Sequence, residues 1–221
     1  QCELNKVEDY PETKGNLPER LIYGSYPEVY NQATYAEKQN HLKELVNSYL
    51  FKDLLAFGNL RNAAKIRDLL RLIAFQIGKE VSYEELGKKL GMSKNTVGHY
   101  LDLLSQAYIV FKVEGFSRNL RKEVTKNPRW YFYDNGIRNT LVANLNDLKQ
   151  REDTGMLWEN YLVSERIKYQ HYHNMIVNNY FWRTYDQQEV DWVEERNGRL
   201  YIYEFKCSCK KDKISKWWKN G

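Results

Sequence analysis

The sequence is poor in cysteine and contains no long apolar run. Three cysteines occur among 221 residues, an odd number too small for the disulfide framework of a small secreted protein. No stretch of about 18 or more apolar residues occurs, so no membrane-spanning helix is expected. The amino terminus lacks the basic start and apolar run of a secretory signal. These absences predict a soluble protein of the reducing cytoplasm.

Two kinds of ligand site also lack their usual residues. Cys207 and Cys209 resemble half of a zinc site, but only His171 and His173 are clustered as further ligands. A closed four-ligand zinc site is therefore not expected. The phosphate-cradling pattern G-x-x-x-x-G-K-[ST] does not occur, so the chain has no nucleotide-binding loop of its own.

The charge of the chain is distributed unevenly. Its formal net charge is +5, yet residues 1–60 carry −3 and the remainder carries +8. Basic residues concentrate in Arg118–Arg129 and between Lys206 and Lys219. Such clusters favour a polyanionic partner, although each cluster also fits an ordinary solvated surface.

Residues 82 to 104 predict two helices separated by a tight turn. Ser82 precedes the first helix with Glu85 at the spacing of a capping box, and Ser93 precedes the second helix after Gly91. In helix-turn-helix proteins, residues near the start of the second helix reach base edges. The residues so placed here are Lys94, Asn95, Thr96, Gly98 and His99.

Two predicted strands, Ile109–Glu114 and Trp130–Tyr133, follow this helix pair and enclose a basic loop. A helix-turn-helix followed by such a hairpin predicts a winged helix whose loop is the wing. The candidate nucleic-acid contacts in the loop are Arg118, Arg121, Lys122, Lys126 and Arg129. Winged helices also bind proteins, and Glu84, Glu85 and Asp102 dilute the basic face, so DNA and a protein both remain candidate partners.

The carboxy-terminal part predicts a helix, Gly155–Tyr169, and three strands. The strands are Tyr180–Tyr185, Glu189–Glu195 and Leu200–Lys206. Asn197-Gly198 between the last two is the preferred sequence of a two-residue type I′ turn.

This turn determines which residues of the hairpin face each other. Asp191 is expected opposite Glu204, and Glu189 opposite Lys206. Strand alternation then puts all four side chains on one face. Directly opposed Cβ atoms lie about 4.5–5.5 Å apart, so the two acids need a compensating charge. A divalent cation held by both carboxylates, or the nearby lysine, would supply it.

Glu159 adds a third acid to this group. It lies on the predicted helix beside Leu162 and Val163, close to the buried face. A metal between such acids could activate a water or polarise a phosphoryl oxygen, and Lys206 could steady the developing charge. The alternatives are a structural Glu159 paired with an arginine such as Arg183, and an exposed hairpin face carrying ordinary charges.

The spacing Glu159 … Asp191 … Glu204-x-Lys206 resembles the PD-(D/E)XK nuclease superfamily. The resemblance implies that Glu159, Asp191 and Glu204 bind Mg²⁺, and that Asp191, Glu204 and Lys206 are catalytic. The superfamily core normally continues with a further helix and strand after the lysine, whereas this chain ends at Gly221. Many members of the superfamily are also inactive.

A longer resemblance covers residues 20 to 208. The chain is similar to predicted prokaryotic AAA+-type ATPases that carry a winged helix and a nuclease-like carboxy-terminal domain of unknown function. The matching segments are Arg20–Glu28, Tyr49–Asp53, Trp130–Gly136, Gly155–Asn160 and Glu189–Asp191. The resemblance implies that ATP binds only in an amino-terminal module that this chain lacks.

Together these observations predict an α+β chain in three parts. Residues 1–60 are expected to be a connector and trailing ATPase lid helices. Residues 61–146 are expected to form a winged helix-turn-helix, and residues 147–221 a restriction-endonuclease-like α/β domain. The expected function is that of a DNA-associated ATPase fragment with a Mg²⁺-dependent nuclease-like site. The alternative is a non-catalytic DNA- or protein-binding module, of transcription-regulatory or antitoxin-like type, with a vestigial acid face. The oligomeric state is not predicted.

Overall fold

The computed structural model describes residues 16–50, 63–117, 127–183 and 188–206. The helices in chain order are α1 (Leu17–Tyr23), α2 (Pro27–Tyr30), α3 (Tyr35–Glu44), α4 (Ala63–Phe75), α5 (Tyr83–Leu90), α6 (Lys94–Gln106), α7 (Asn135–Leu141) and α8 (Thr154–Tyr172). The strands are β1 (Val110–Gly115), β2 (Arg129–Phe132), β3 (Asn178–Arg183), β4 (Glu189–Arg196) and β5 (Arg199–Tyr203). A π-helical segment, Leu45–Leu50, continues α3, and a short 3-10 helix, Leu148–Gln150, precedes α8.

The boundaries of α5 and α6 follow from their capping residues. The Ser82 hydroxyl accepts the backbone N–H of Glu85 at 3.3 Å, and α5 ends at Gly91, whose φ is +60°. The Ser93 hydroxyl accepts the N–H of Thr96 at 3.1 Å and begins α6. Side-chain acceptors satisfy helix N–H groups that have no partner within the helix. The two predicted helices and the turn between them are confirmed.

The strands form one mixed sheet in the order β2-β1-β3-β4-β5. β1 pairs antiparallel with β2 and parallel with β3, and the other neighbours are antiparallel. The β4–β5 register runs from Arg196↔Arg199 to Trp192↔Tyr203, as the Asn197-Gly198 turn predicted. Both turn residues have positive φ, 52° and 69°, which a type I′ turn requires.

The last predicted strand is too long. β5 ends at Tyr203, and residues 204 to 206 lie outside it. One reason is that Asp191, the residue expected to continue the pairing, accepts the Phe205 backbone N–H through its side chain at 2.7 Å.

Helix α8 is joined to β2 through one buried carboxamide. Asn160 is fully buried. Its Oδ1 accepts the Phe132 N–H at 2.8 Å, and its Nδ2 donates to the Phe132 carbonyl at 3.0 Å and to Asn135 Oδ1 at 2.7 Å. A continuous apolar core runs beside this contact from α4 and α6 through Trp130 to Trp192 on β4. The sheet and the core therefore extend across residue 147.

The amino-terminal helices are held to the same body by α7. Asn139 Nδ2 donates to the carbonyls of Leu21 at 3.0 Å and Ile22 at 2.8 Å. A Cβ on Gly136 would lie 2.1 Å from the Tyr23 carbonyl oxygen, so α1 approaches α7 as closely as it does only because residue 136 is glycine.

The mixed α+β architecture is confirmed for the described residues. Within the same residues, no helix combines the length and the apolar character that crossing a membrane requires. Several predicted features lie outside the described residues: the helix beyond residue 50, most of the basic loop, and the basic stretch after Lys206.

Replacing Asn160 by alanine will strongly destabilise the chain. The substitution leaves the Phe132 N–H and C=O buried without partners, and each lost partner costs about 1–3 kcal/mol. We expect the free energy of unfolding to fall by roughly 3 kcal/mol in urea titrations followed by circular dichroism. Asn40→Ala on the exposed face of α3 is the control, with an expected change within about 0.5 kcal/mol. Equal stability of the two variants would contradict the assigned role of Asn160.

Candidate functional site

A β-bulge in β4 lies at Asp191, within the predicted acid cluster. β3 and β4 pair as Trp182↔Val190 and Tyr180↔Val193, so Asp191 and Trp192 both stand opposite the single residue Phe181. A bulge of this kind interrupts the strict alternation of side chains between the two faces of a sheet. Asp191 lies at this bulge, and its carboxyl accepts the Phe205 backbone N–H at 2.7 Å.

Glu159 on α8 is buried against β2. Glu159 Oε1 accepts the hydroxyl of Tyr131 at 2.8 Å, and the carboxyl lies beside Gly78, where a Cβ would be 2.9 Å from Oε1. Burial raises the pKa of Glu159 to about 7, and the negative charges of Asp191 and Glu189 act in the same direction. The hydroxyl of Tyr131 and the charge of Arg129 oppose this rise without cancelling it.

Asp191 shares this environment. Burial raises the pKa of the Asp191 carboxyl, and the Phe205 N–H, which stabilises the charged form, opposes the rise. Of the two carboxyls, Glu159 has the pKa of about 7 and is therefore protonated over much of the range below neutral pH. The site can therefore store a proton near neutral pH.

Arg129 supplies the positive charge nearest to these acids. It is 2% exposed, donates from Nη2 to Glu189 Oε1, and lies over the ring of Phe181 with its guanidinium carbon 4.2 Å from the ring centroid. A buried guanidinium tied to a carboxylate and an aromatic ring cannot reach a phosphate at the surface. The sequence-based assignment of Arg129 to the nucleic-acid surface is therefore wrong.

Glu204 and Lys206 are exposed, unlike Glu159. Each side chain is 55% exposed, and Lys206 Nζ lies 3.3 Å from Glu204 Oε2. β5 ends before Glu204, so the strand pairing does not reach Asp191 and Glu204. Asp191 instead accepts the Phe205 N–H, and the charge of Glu204 still acts on its carboxyl.

The predicted partner of Glu159 is also corrected. Arg183 pairs instead with Glu80, at 3.2 Å. The alternative prediction was that Glu159 is a structural acid paired with an arginine. Glu159 is indeed paired, but its partner is the hydroxyl of Tyr131 on β2.

These positions do not fit a Mg²⁺ ion held by three carboxylates. Glu159 is bonded to Tyr131, Asp191 to the Phe205 N–H, and Glu204 to Lys206. Within residues 16–50, 63–117, 127–183 and 188–206, no group of three or more histidine, cysteine, aspartate or glutamate side chains is placed to hold a metal ion. A hard divalent cation takes about six oxygen ligands, so we derive no chemical step through a metal.

The surface of the α5–α6 pair has the predicted arrangement. Lys94, Asn95 and His99 are exposed at the amino-terminal part of α6. The opposite side of α6 packs into the core through Val97 and Leu101, both 0% exposed. The remaining loop candidates, Arg118, Arg121, Lys122 and Lys126, lie outside the described residues.

Sequence reasoning missed two residues of the buried cluster. Tyr131 was assigned only to a strand, and Gly78 was not considered. An alternating strand pattern indicates that one face of β2 is buried, but all four residues of β2 are buried. Nothing in the local sequence indicates that the Tyr131 hydroxyl meets a helix 28 residues later.

Comparison with known families covers most of the chain. A model described as "Domain of unknown function (DUF8612)" matches residues 14–150. The chain belongs to this DUF8612 family. A second model, "Domain of unknown function (DUF4143)", matches residues 154–216. The boundary between the two matches falls in the segment before α8.

Curated relatives of this DUF8612 chain come from distant organisms. It is 28% identical over 166 residues to an uncharacterized protein of Mycobacterium tuberculosis, which covers 73% of this chain and 36% of that protein. A second uncharacterized protein, from Methanocaldococcus jannaschii, is 26% identical over 110 residues, or 46% of this chain and 24% of that protein. The chain thus spans about a third or less of the length of these relatives. No solved structure matches it.

Replacing Glu159 by glutamine will change how stability depends on pH. The folded-state pKa of about 7 exceeds the ordinary value of 4.5, so the folded chain binds the proton more tightly than the unfolded chain. The resulting stabilisation is complete below about pH 4.5 and is lost as the pH rises through 7. Glutamine can still accept the Tyr131 hydroxyl but does not titrate.

Urea titrations between pH 4.5 and 8 will measure this effect. We expect the parent to lose about 3 kcal/mol more than Glu159→Gln across this range. The exposed Glu152→Gln variant should follow the parent. Parallel pH profiles for the parent and Glu159→Gln would contradict a buried, proton-holding Glu159.

Proposed function

We propose that this chain binds double-stranded DNA as a non-catalytic winged-helix module of a larger ATPase-type protein. The observation that carries the proposal is the exposed amino-terminal part of α6, where Lys94, Asn95 and His99 point away from the core. The hydroxyl caps of Ser82 and Ser93 fix where the two helices begin on either side of the turn.

The exposed side chains suit the edges of base pairs. Asn95 offers a donor and an acceptor that match adenine in the major groove, and His99 stands one turn later on the same side of α6. The positive end of the α6 dipole and the ammonium of Lys94 favour a phosphate at the same end. Contacts of both kinds together would orient the helix in the groove.

The charge of the helix pair limits the affinity that it can provide alone. Lys88 pairs with Glu84 at 3.0 Å and Lys89 with Glu85 at 2.6 Å. On α6, the negative charge of Asp102 equals the positive charge of Lys94, so the net charge of the helix pair is small. The basic loop would then supply most of the phosphate contacts, as the sequence predicts. Binding through such contacts weakens as salt rises.

Association with an ATPase module is supported by the second family match. DUF4143 domains are typically found with AAA-type ATPases, and the curated relatives are roughly three times as long as the matched region. We place ATP binding and hydrolysis in that other part of the parent protein. This region would position the ATPase on its DNA.

A protein partner is the second candidate for the same surface. It is favoured by the near-neutral charge of the α5–α6 face described above. Salt separates the two candidates, because binding to DNA falls steeply between low and physiological ionic strength, whereas binding to an uncharged protein surface changes little.

Reversing the charge of Lys94 will weaken DNA binding. Anisotropy titrations with a labelled duplex at low salt should give roughly tenfold weaker binding for Lys94→Glu and a shallower salt dependence, since one phosphate contact is lost. Lys43→Glu, an equal charge change on α3, controls for net charge. Equal weakening in both variants would show that α6 is not the contact surface.

We also expect no Mg²⁺-dependent cleavage of plasmid or single-stranded DNA. Glu204 is exposed and paired with Lys206, and among the described residues no three acids are placed to hold a metal ion. Parent, Asp191→Ala and Lys206→Ala proteins should give the same background in a gel assay with and without Mg²⁺. Cleavage by the parent that both variants abolish would establish a nuclease and overturn the non-catalytic assignment.

A further inference from the structure

Strands β1 and β3 pair at only two residues of each strand. They separate on the amino-terminal side of these pairs. The pairs are Glu114↔Tyr180 and Gly115↔Phe181, and the Phe116 N–H adds a 2.6 Å bond to the Phe181 carbonyl. Before these pairs the strands diverge around an open groove of about 410 Å³, within the size range of ligand-binding clefts. Its floor contains Phe111, Tyr133, Ile167 and Val177.

One wall of this groove is an open strand edge. The Tyr133 N–H donates to the Ile109 carbonyl at 3.1 Å, and bonding alternates along an antiparallel ladder. Phe111 and Val113 therefore direct their backbone groups to β2, while Lys112 directs its N–H and C=O into the groove. Phe116, four residues after Lys112, likewise directs its N–H away from β2 and bonds to β3. The pairing with β3 does not extend back to Lys112, however, so the backbone groups of Lys112 have no partner in β3.

Exposed apolar side chains border the groove. Tyr108 is 66% exposed with its ring 5.6 Å from that of Tyr133, and Ile176, next to Val177, is 95% exposed. Tyr108 has a φ of 55° because it follows the end of α6, where the Ile109 N–H donates to the Leu104 carbonyl at 3.1 Å. A left-handed residue at this position is a common helix ending, and it places the tyrosine beside Tyr133 of the groove.

The charges of the lining argue against a polyanion at this position. Apart from His171, the charged side chains that line the groove are Lys112 and Glu114, which pair with each other at 2.8 Å. The open backbone groups of Lys112 demand a complementary N–H and C=O, and an extended peptide supplies both in the correct alternation.

We propose that this groove binds an extended peptide segment of a protein partner by β-strand addition to β1. The peptide backbone pairs with Lys112, one apolar side chain enters between Tyr133 and Val177, and Tyr108 and Ile176 cover neighbouring positions. Alternate residues of the peptide point away from the floor, so they tolerate small polar side chains. This site is separate from the α5–α6 surface proposed for DNA.

A fluorescein-labelled peptide of alternating threonine and valine is the probe. Anisotropy titration of the full chain should show saturable binding, and methylation of alternate backbone nitrogens on the peptide should abolish it because the donors are removed. An unlabelled DNA duplex should not displace the peptide. Absence of binding, equal binding of the methylated peptide, or displacement by DNA would each overturn the proposal.

Lys112→Pro tests the strand edge within the chain. Proline removes the N–H that faces the groove, while the backbone bonds of Phe111 and Val113 to β2 remain. Peptide binding should weaken about fivefold or more relative to Lys112→Ala, which keeps the N–H, and this factor corresponds to one hydrogen bond. Equal affinities of the two variants would overturn the assignment. If Lys112→Pro fails to fold by circular dichroism, the methylated-peptide comparison on the parent chain decides.

Discussion

The rest of the structure depends on the contact between the Asn160 carboxamide and the backbone of β2. Because Asn160 satisfies both the N–H and the C=O of Phe132, the edge strand of the sheet is closed by a helix rather than by another strand. The parallel pairing of β1 with β3 continues the same sheet into the carboxy-terminal hairpin. The α5–α6 pair and the hairpin thus pack on one sheet and share one core.

The bulge in β4 lies within the predicted acid cluster. Asp191 lies at this bulge and accepts the Phe205 backbone N–H, and its negative charge helps to raise the pKa of the buried Glu159. Arg129 and Tyr131, both on β2, complete the surroundings of these two acids. The Tyr131–Glu159 hydrogen bond joins β2 to α8, and the Arg129–Glu189 ion pair joins β2 to β4. Buried polar contacts of this kind contribute to the specificity of an arrangement more than to its stability.

Local sequence signals predicted the local structure well. Hydroxyl residues before α5 and α6 and glycine after α5 set those boundaries, and Asn197-Gly198 set the hairpin register from Arg196↔Arg199 to Trp192↔Tyr203. The errors arose where distant segments meet. Arg129 belongs to a basic run in the sequence but is buried against Phe181 and Glu189, and the bulge at Asp191 interrupts an alternation that was assumed to be continuous.

By itself, the sequence determined helices α5 and α6, the turn at Asn197-Gly198, the register of the last hairpin and the polar character of the α6 surface, because each depends on residues a few positions apart. Only the tertiary structure decided which charges are buried together, where the β1–β3 pairing stops, and which N–H the Asp191 carboxyl accepts. These features depend on an inserted residue in one strand and on contacts between segments dozens of residues apart. No local pattern encodes the free-energy balance between burying a charge and pairing it.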